Sequence, residues 1–364
     1  MKIAIIADPL DNQSAGIHTY VKQFINALVE HDKENEYILI REKKDPSISF
    51  RQIAIPNIRL PIGFASMRLF FIIPLILSWL RVDVVLEPAH FGPFNLPKRI
   101  KRITVIHDLT PLLFPQFHRF HSQLLQRIFL KIILKKTNLI LSNSQHTTQD
   151  ITQFFPFTKS KISTILLGGD SEFRPVASRT YLDKNEVSQT YFLFTGTIEP
   201  RKNLTLLLEA YHQFRKRIEE RVLLIITGKE GWKTTDFHQK LEKHAFRQDI
   251  ILTGFVEKKS LIELYSHSLA LIYPSLYEGF GLPVLEALSC QTNVICSNRS
   301  SLPEVGGDVA YYFNPESAED LLQQMIVVYT NPQANQDKLL AQAEKFSWKK
   351  YANSFVQELS HLGK

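Results

Sequence analysis

Short apolar runs alternate with helix-length segments along the whole of this chain, and that alternation restricts its fold more than any other feature. Runs of four to six apolar residues read as strands buried on both faces. Spacers this long suit crossover helices between parallel strands rather than hairpin turns. The strand candidates are residues 2–7, 37–41, 82–86, 103–106 and 139–141 in the first half. In the second half they are residues 191–195, 222–227, 250–253, 269–273 and 293–297. Between the two sets, Gly168-Gly169-Asp170-Ser171-Glu172-Phe173-Arg174-Pro175 opens a polar stretch that interrupts the pattern. A chain of 364 residues is long enough for two ordinary domains. The pattern therefore predicts two α/β units with parallel sheets, residues 1–172 and 173–346, followed by a terminal segment 347–364.

Composition narrows the class. With 44% apolar and 22% charged residues the chain is globular rather than disordered. Its only cysteines, Cys290 and Cys296, lie in apolar surroundings, which argues for a reducing compartment and against a disulfide scaffold. The opening Met1-Lys2-Ile3-Ala4-Ile5-Ile6-Ala7-Asp8 is too short and charged too early for a signal peptide, and reads as a first strand. A cytoplasmic location is expected. The net charge of +7 is concentrated at one end, since residues 1–170 hold 21 Lys and Arg against 13 Asp and Glu. Such a half suits an anionic partner, and without zinc spacing or an aromatic RNA-binding signature a membrane surface is expected over nucleic acid. The apolar run Leu69–Leu80, carrying Pro74, is shorter than the about 20 residues of a membrane span. It reads as a buried helix, with peripheral membrane contact as the alternative. A helix over residues 122–136 places Leu125, Ile128, Phe129 and Ile132 on a core-like stripe, with Arg127, Lys131 and Lys135 on another face.

The loops after certain strands carry the chemistry. After the run 269–273, Pro274 and Ser275 end the strand, and Gly279 and Gly281 permit a tight loop. Pro283 suits the first position of a helix over 284–288, whose N-terminus then faces back onto the loop. Free amides and the helix dipole make that end an anion site. Two carboxylates bracket it, Glu278 before the turn and Glu286 inside the helix, and phosphate alone would leave both unexplained. A nucleotide sugar, with phosphates for the amides and hydroxyls for the carboxylates, uses both. Arg201 and Lys202 follow the strand 191–195 at an equivalent turn, a pair suited either to a diphosphate or simply to solvent. His107-Asp108 ends the strand 103–106 at the edge where ligands bind in such sheets, or is structural. Gly16 closes the small-residue loop Ser14-Ala15-Gly16 after the first strand, which on its own equally suits a plain turn. Ser144 reads as the N-cap of a helix from Gln145.

Together with Gly196, Asn203, Thr253-Gly254-Phe255-Val256 and Ser301-Leu302-Pro303-Glu304-Val305, these stretches resemble the retaining glycosyltransferase family 4 of the GT-B fold, including bacterial mannosyltransferases of surface-glycan synthesis. The resemblance implies two Rossmann-like domains facing a central cleft, the first holding acceptor and the second the nucleotide-sugar donor, with a last helix, 347–362, returning to the first. It assigns Glu286 to the ribose hydroxyls and Glu278 to the transferred sugar. The amides of Phe280, Gly281 and Leu282 meet sugar and phosphate, Arg201 and Lys202 the diphosphate, and Phe255 and Val256 the base. His107 contacts the donor sugar near the reacting carbon, and Gly16 lets its loop approach the donor phosphate and the acceptor. Where many relatives have arginine directly after the glycine ending the first donor-domain strand, this chain has Thr197, which puts more weight on Arg201. The implied reaction moves a hexose, mannose from GDP-mannose by resemblance, to a lipid-linked or cell-surface glycan. No cofactor beyond the nucleoside-diphosphate sugar is expected, and without an Asp-x-Asp motif no metal. The alternatives are a nucleotide-sugar epimerase or hydrolase of the same fold, a glycan phosphorylase, or a non-catalytic membrane-associated protein.

Overall fold

The structure, a computed structural model, describes residues 1–12, 16–56, 67–90, 92–93, 95–117, 126–332 and 336–363. Ser14 and Ala15 of the expected first loop, and the beginning of the expected helix 122–136, lie outside the described residues.

The chain divides into two compact units, Met1–Gly168 with Ser347–Lys364, and Gly169–Phe346. The boundary falls at Gly168 rather than at residue 172, and there is a local reason. Asp170 and Glu172 both receive the Lys258 ammonium, at 2.8 and 2.7 Å, so the segment is tied to the second unit.

The first unit is built on a seven-stranded sheet, in the order β3-β2-β1-β4-β5-β6-β7, with every pairing parallel. Its strands are β1 (Lys2–Ile6), β2 (Glu36–Arg41), β3 (Arg51–Ala54), β4 (Val84–Glu87), β5 (Lys101–Ile106), β6 (Leu139–Ser142) and β7 (Ile162–Thr164). The central strands are apolar and buried along almost their full length, as a sheet covered on both faces requires. On one face Ile6, Ile40 and Val85 pack against Ile73, Leu77 and Leu80. Helix Gly16–His31 packs against helix Trp348–Leu362 through Phe24 and Phe355, whose ring centroids lie 5.0 Å apart, and through a 2.7 Å hydrogen bond between the Tyr20 and Tyr351 hydroxyls.

Gly168 ends the main body of this unit and lies against the point where the chain re-enters it. A Cβ at Gly168 would stand 2.2 Å from Trp348 N and 2.6 Å from the Ser347 carbonyl carbon, both rigid main-chain atoms. Gly168→Ala is therefore expected to cost about 1–3 kcal/mol. Thermal melts would show this, and an unchanged Tm would mean the backbone there yields freely.

Two helical segments differ from the expectation of burial. The π-wound turn Arg68–Ile72 runs into helix Ile73–Trp79, and only one side of this segment faces the core. Phe71, Leu75 and Trp79 are 63%, 71% and 77% exposed. Their four-residue spacing sets them on one face, opposite Ile73 and Leu77. Ile128 and Ile132, expected in the core, are likewise exposed, whereas Leu130 and Leu134 one step round are buried.

The second unit carries a six-stranded sheet in the order β10-β9-β8-β11-β12-β13, again entirely parallel. Its strands are β8 (Tyr191–Thr195), β9 (Leu223–Thr227), β10 (Ile250–Gly254), β11 (Ala270–Tyr273), β12 (Asn293–Ser297) and β13 (Tyr311–Phe313). The strand order reverses between β8 and β11. A crevice at such a switch point is where open α/β sheets bind ligands.

Candidate active site

The loops after β8 and β11 converge on one buried charge cluster. After β8, a single 3-10 turn, Pro200–Lys202, brings Arg201 and Lys202 round, and Asn203 takes a left-handed φ of 56° before helix Leu204–Arg217 begins. After β11, the loop to Gly281 is clamped by two serines. Ser300 Oγ accepts from the Glu278 amide at 2.8 Å, and Ser301 Oγ donates to the carbonyls of Glu278 and Phe280 at 3.0 and 2.8 Å. Glu278 is thereby held where Lys202 Nζ reaches its Oε1 at 2.6 Å and Arg201 Nη1 at 2.8 Å.

Secondary contacts fix both cations. Lys202 Nζ donates to the Tyr273 hydroxyl and stands 4.6 Å from the centroid of that ring. Arg201 donates to the Tyr277 carbonyl at 2.6 Å and pairs with the buried Glu199 carboxylate. Burial pushes the Glu278 pKa up, but Arg201 and Lys202 outweigh it and hold this carboxyl at about 2. Burial in turn lowers the Lys202 pKa, partly offset by Glu278. Two carboxylates and two cations balance formally, so a diphosphate arriving here must take cation contacts away from Glu278 or Glu199.

Helix Leu282–Ser289 starts one residue earlier than expected, which places Pro283 second rather than first. Either place suits a residue with no N–H, because the first-turn donors have no intrahelical acceptor. Its N-cap, Gly281, has a φ of 112°, and a Cβ there would come within 2.8 Å of Leu302. Glycine is needed on both counts. The amides of Phe280, Gly281 and Leu282 donate to no backbone carbonyl among the described residues, which leaves them at the mouth of an eight-residue helix. Phe280 contributes its amide alone, since its ring is buried against Phe346 at 5.8 Å.

Glu286 stands apart from the cluster. Its Oε2 accepts from the Tyr265 hydroxyl at 3.0 Å, and burial raises its pKa to about 7, with Tyr265 opposing the rise. Such a carboxyl is divided between neutral and ionised forms near neutrality and gains most from new donors. Phe255, after β10, is exposed beneath Lys229, whose Nζ lies 4.9 Å from the ring centroid, and Val256 beside it is partly buried.

In the first unit, His107 follows β5 and is buried. Its Nε2 donates to the Pro88 carbonyl at 2.8 Å, and its own amide donates to His90 Nε2 at 2.7 Å. The Tyr20 ring meets it edge-on at 4.8 Å. Burial, then His90, lower the His107 pKa to about 4, so the ring is neutral at pH 7. Gly16 opens helix Gly16–His31, with open space where a Cβ would stand. Ser144 caps helix Gln145–Phe154 by accepting from the Thr147 amide at 3.0 Å.

The structure thus brings Arg201, Lys202 and Glu278 into contact and leaves Glu286 with a partner of its own. Sequence reasoning gave no role to Tyr273, Tyr265, Glu199, Ser300 or Ser301. Tyr273, at the end of a strand directly before Pro274, carried a positional signal. Tyr265 lies 21 residues from Glu286 on another helix and carried none. Among the described residues no cluster of side chains has the makings of a metal site.

Two parallel-sheet Rossmann-like units, with an ion cluster and an open helix N-terminus at the switch point of one, define a GT-B glycosyltransferase. Residues 14–173 match the model of Glycosyltransferase Family 4, and residues 182–346 that of Glycosyl transferases group 1. Escherichia coli O-antigen chain mannosyltransferase B is 34% identical over 71% of this chain and 70% of its own length. The chain belongs to this glycosyltransferase family. It also matches the Escherichia coli serotype-specific mannosyltransferase WbdA, at 29% identity over 72% of the chain, and spans about a third (34%) of that protein. Among solved structures, Anabaena HepE in complex with UDP and glucose superposes with a TM-score of 0.77 at 16% identity, covering 99% of this chain and 100% of the other.

Proposed function

We propose that this glycosyltransferase moves mannose from GDP-mannose to a hydroxyl of a lipid-linked or cell-surface glycan, with retention at the anomeric carbon. The carrying observation is the Arg201–Lys202–Glu278 cluster beside the open N-terminus of helix Leu282–Ser289. Departure of a nucleoside diphosphate leaves negative charge on the phosphates and positive charge on the sugar. Preorganised cations and amides stabilise the first, and an ionised carboxylate favours the second. Glu286 takes the ribose hydroxyls, Phe255 and Val256 the base, His107 the donor sugar near the reacting carbon, and Gly16 the donor phosphate and acceptor. The mannosyltransferase relatives support the choice of sugar.

Two cations and a helix end supply the charge stabilisation this departure needs, so the proposed reaction runs without metal. Turnover is expected to be unchanged by excess EDTA, and loss of activity restored by a divalent ion would overturn that part. The main test incubates the chain with GDP-mannose and a lipid-linked oligosaccharide, then reads the anomeric configuration of the product by NMR. An α-linked mannoside from the α-configured donor supports the proposal. Use of a UDP- or ADP-sugar instead, an inverted product, or nucleotide release without acceptor would defeat it.

A lipid-linked acceptor also requires a place at a membrane. No described helix is long and apolar enough to cross one, but the excess of cations in residues 1–170 suits an anionic surface.

A further inference from the structure

One histidine of the first unit has no part in the chemistry described so far. His90 lies in the loop after β4, and the strand order of the seven-stranded sheet reverses between β1 and β4. That loop is therefore at the switch point of its own sheet, the edge where open α/β sheets take ligands. Glu87, the last residue of β4, steadies it by accepting from the Ala89 amide at 2.8 Å.

His90 has a φ of 69°, a left-handed conformation that a residue with a Cβ adopts only at a cost. Three hydrogen bonds between this loop and the end of β5 hold it there. The His90 amide donates to the Val105 carbonyl at 3.2 Å, and the His107 amide donates to His90 Nε2 at 2.7 Å. In return, His107 Nε2 donates to the Pro88 carbonyl at 2.8 Å. The two imidazoles stack, with centroids 5.5 Å apart and planes 30° from parallel.

These bonds decide where His90 carries its proton. A backbone amide only donates, so Nε2 must present its lone pair to His107. Burial lowers the His90 pKa, with Asp108 opposing, so at pH 7 the ring is neutral and its proton is on Nδ1. Among the described residues nothing accepts that proton. His90 is 8% exposed, and Nδ1 is not among the polar atoms sealed from solvent without a partner. A side-chain carbonyl would serve the His107 amide equally well. What imidazole adds is a donor of fixed direction beside His107, and a sugar hydroxyl is a matching acceptor. Donation to the attacking hydroxyl would weaken it as a nucleophile, so a neighbouring hydroxyl is the better partner.

We infer that His90 binds, through Nδ1–H, a hydroxyl of the acceptor sugar next to the one that attacks, and so helps to select the acceptor. This rests on the transferase reading, in which the first unit holds the acceptor.

Two substitutions separate this N–H from the bond to His107. Glutamine places an amide group where Nε2 stands, and asparagine places one where Nδ1 stands. His90→Gln keeps an acceptor for the His107 amide but loses the donor. It should raise KM for the lipid-linked acceptor about fivefold or more, with KM for GDP-mannose unchanged. His90→Asn keeps an N–H near Nδ1 and tolerates the left-handed backbone, but gives up the bond to His107. Its acceptor KM should stay within about twofold of wild type, and kcat should fall instead, because His107 is less firmly held. Loss of Tm in both variants with both KM values unmoved would make His90 structural and overturn the proposal. A rise in KM for GDP-mannose in place of the acceptor would put the N–H on the transferred sugar and overturn it too.

Should His90→Gln fail to fold, NMR of the wild type with isotope-labelled histidine carries the test. The His90 proton should be on Nδ1 at neutral pH, and a mannose disaccharide should shift that resonance. A proton on Nε2, or a resonance unmoved by saturating disaccharide, would overturn the proposal. A shifted resonance in a chain that transfers no mannose would defeat the transferase reading and leave the sugar contact of His90 standing.

Discussion

Glu278→Gln is expected to lower kcat roughly 10²-fold, the scale of losing one preorganised charge from a reacting centre, while binding free GDP more tightly than the wild type. In the unliganded protein this carboxylate occupies both Lys202 and Arg201. Removing its charge leaves the two cations with Glu199 as their remaining carboxylate, and a diphosphate then meets less competition. The same loss strands a buried ammonium, which elsewhere costs about 3–5 kcal/mol when a partner is deleted. Glutamine still accepts a hydrogen bond, which points to the lower end. The Tm should fall, and GDP should raise it by more in the variant than in the wild type.

The pH dependence gives a further check. The Glu278 pKa is about 2 in the fold against an ordinary 4.5. Its contribution to stability is therefore complete above pH 4.5 and is lost as pH falls towards 2. The gap in Tm between wild type and Glu278→Gln should be constant at neutral pH and close over that acidic interval. Normal turnover, or a GDP-induced shift no larger than the wild type's, would remove Glu278 from the reacting centre and leave it as a brace for the loop.

Glu286→Gln should behave in the opposite way. The Glu286 pKa is raised to about 7, so the fold favours the neutral acid. The stability this provides is complete below pH 4.5 and is lost as pH rises through 7, by at most about 1.4 kcal/mol per pH unit. Without ligand, Glu286→Gln should therefore be at least as stable as the wild type at pH 8. Donor binding should suffer, because ribose hydroxyls donate best to a carboxylate, and such bonds are each worth roughly 1.5–3 kcal/mol. KM for the donor should rise about tenfold or more with little change in kcat, the signature of lost uniform binding. In the wild type that KM should improve as pH passes 7, and in the variant it should be flat. A flat wild-type profile, or a variant less stable at pH 8, would sink the ribose role.

What could be read from the residues divides along physical lines. Strands at the centres of the two sheets are apolar throughout, so their positions were legible within a residue or two. The strands passed over lie at edges: Arg51-Gln52-Ile53-Ala54, Ile162-Ser163-Thr164 and Tyr311-Tyr312-Phe313. They are short and half exposed, and pairing on one side alone leaves a weak apolar signature. The run Leu69–Leu80 misled in the other direction. Its residues are apolar all round, and hydrophobicity cannot distinguish a face covered by protein from one presented to something else. At the site, Arg201, Lys202, Glu278 and Glu286 stood out by charge and by position after a strand. Of their hydrogen-bonding tyrosines, Tyr273 had only its place at a strand's end, 71 residues from Lys202, and Tyr265, 21 residues from Glu286, had no signal at all.

The two places where the chain passes between units, Gly168–Gly169 and Phe346–Ser347, bear on the order in which the protein can be made. Residues 169–346 form one uninterrupted stretch, so that unit can close on itself while its own C-terminal flank is still being synthesised. The other unit cannot. Phe24 and Tyr20 emerge from the ribosome before residues 169–346, and the side chains that cover them, Phe355 and Tyr351, only after that stretch. Until residues 348–362 are free, helix Gly16–His31 waits with aromatic rings uncovered, a state open to aggregation or to chaperone capture. The first unit thus begins before the second unit is made and is completed only after it.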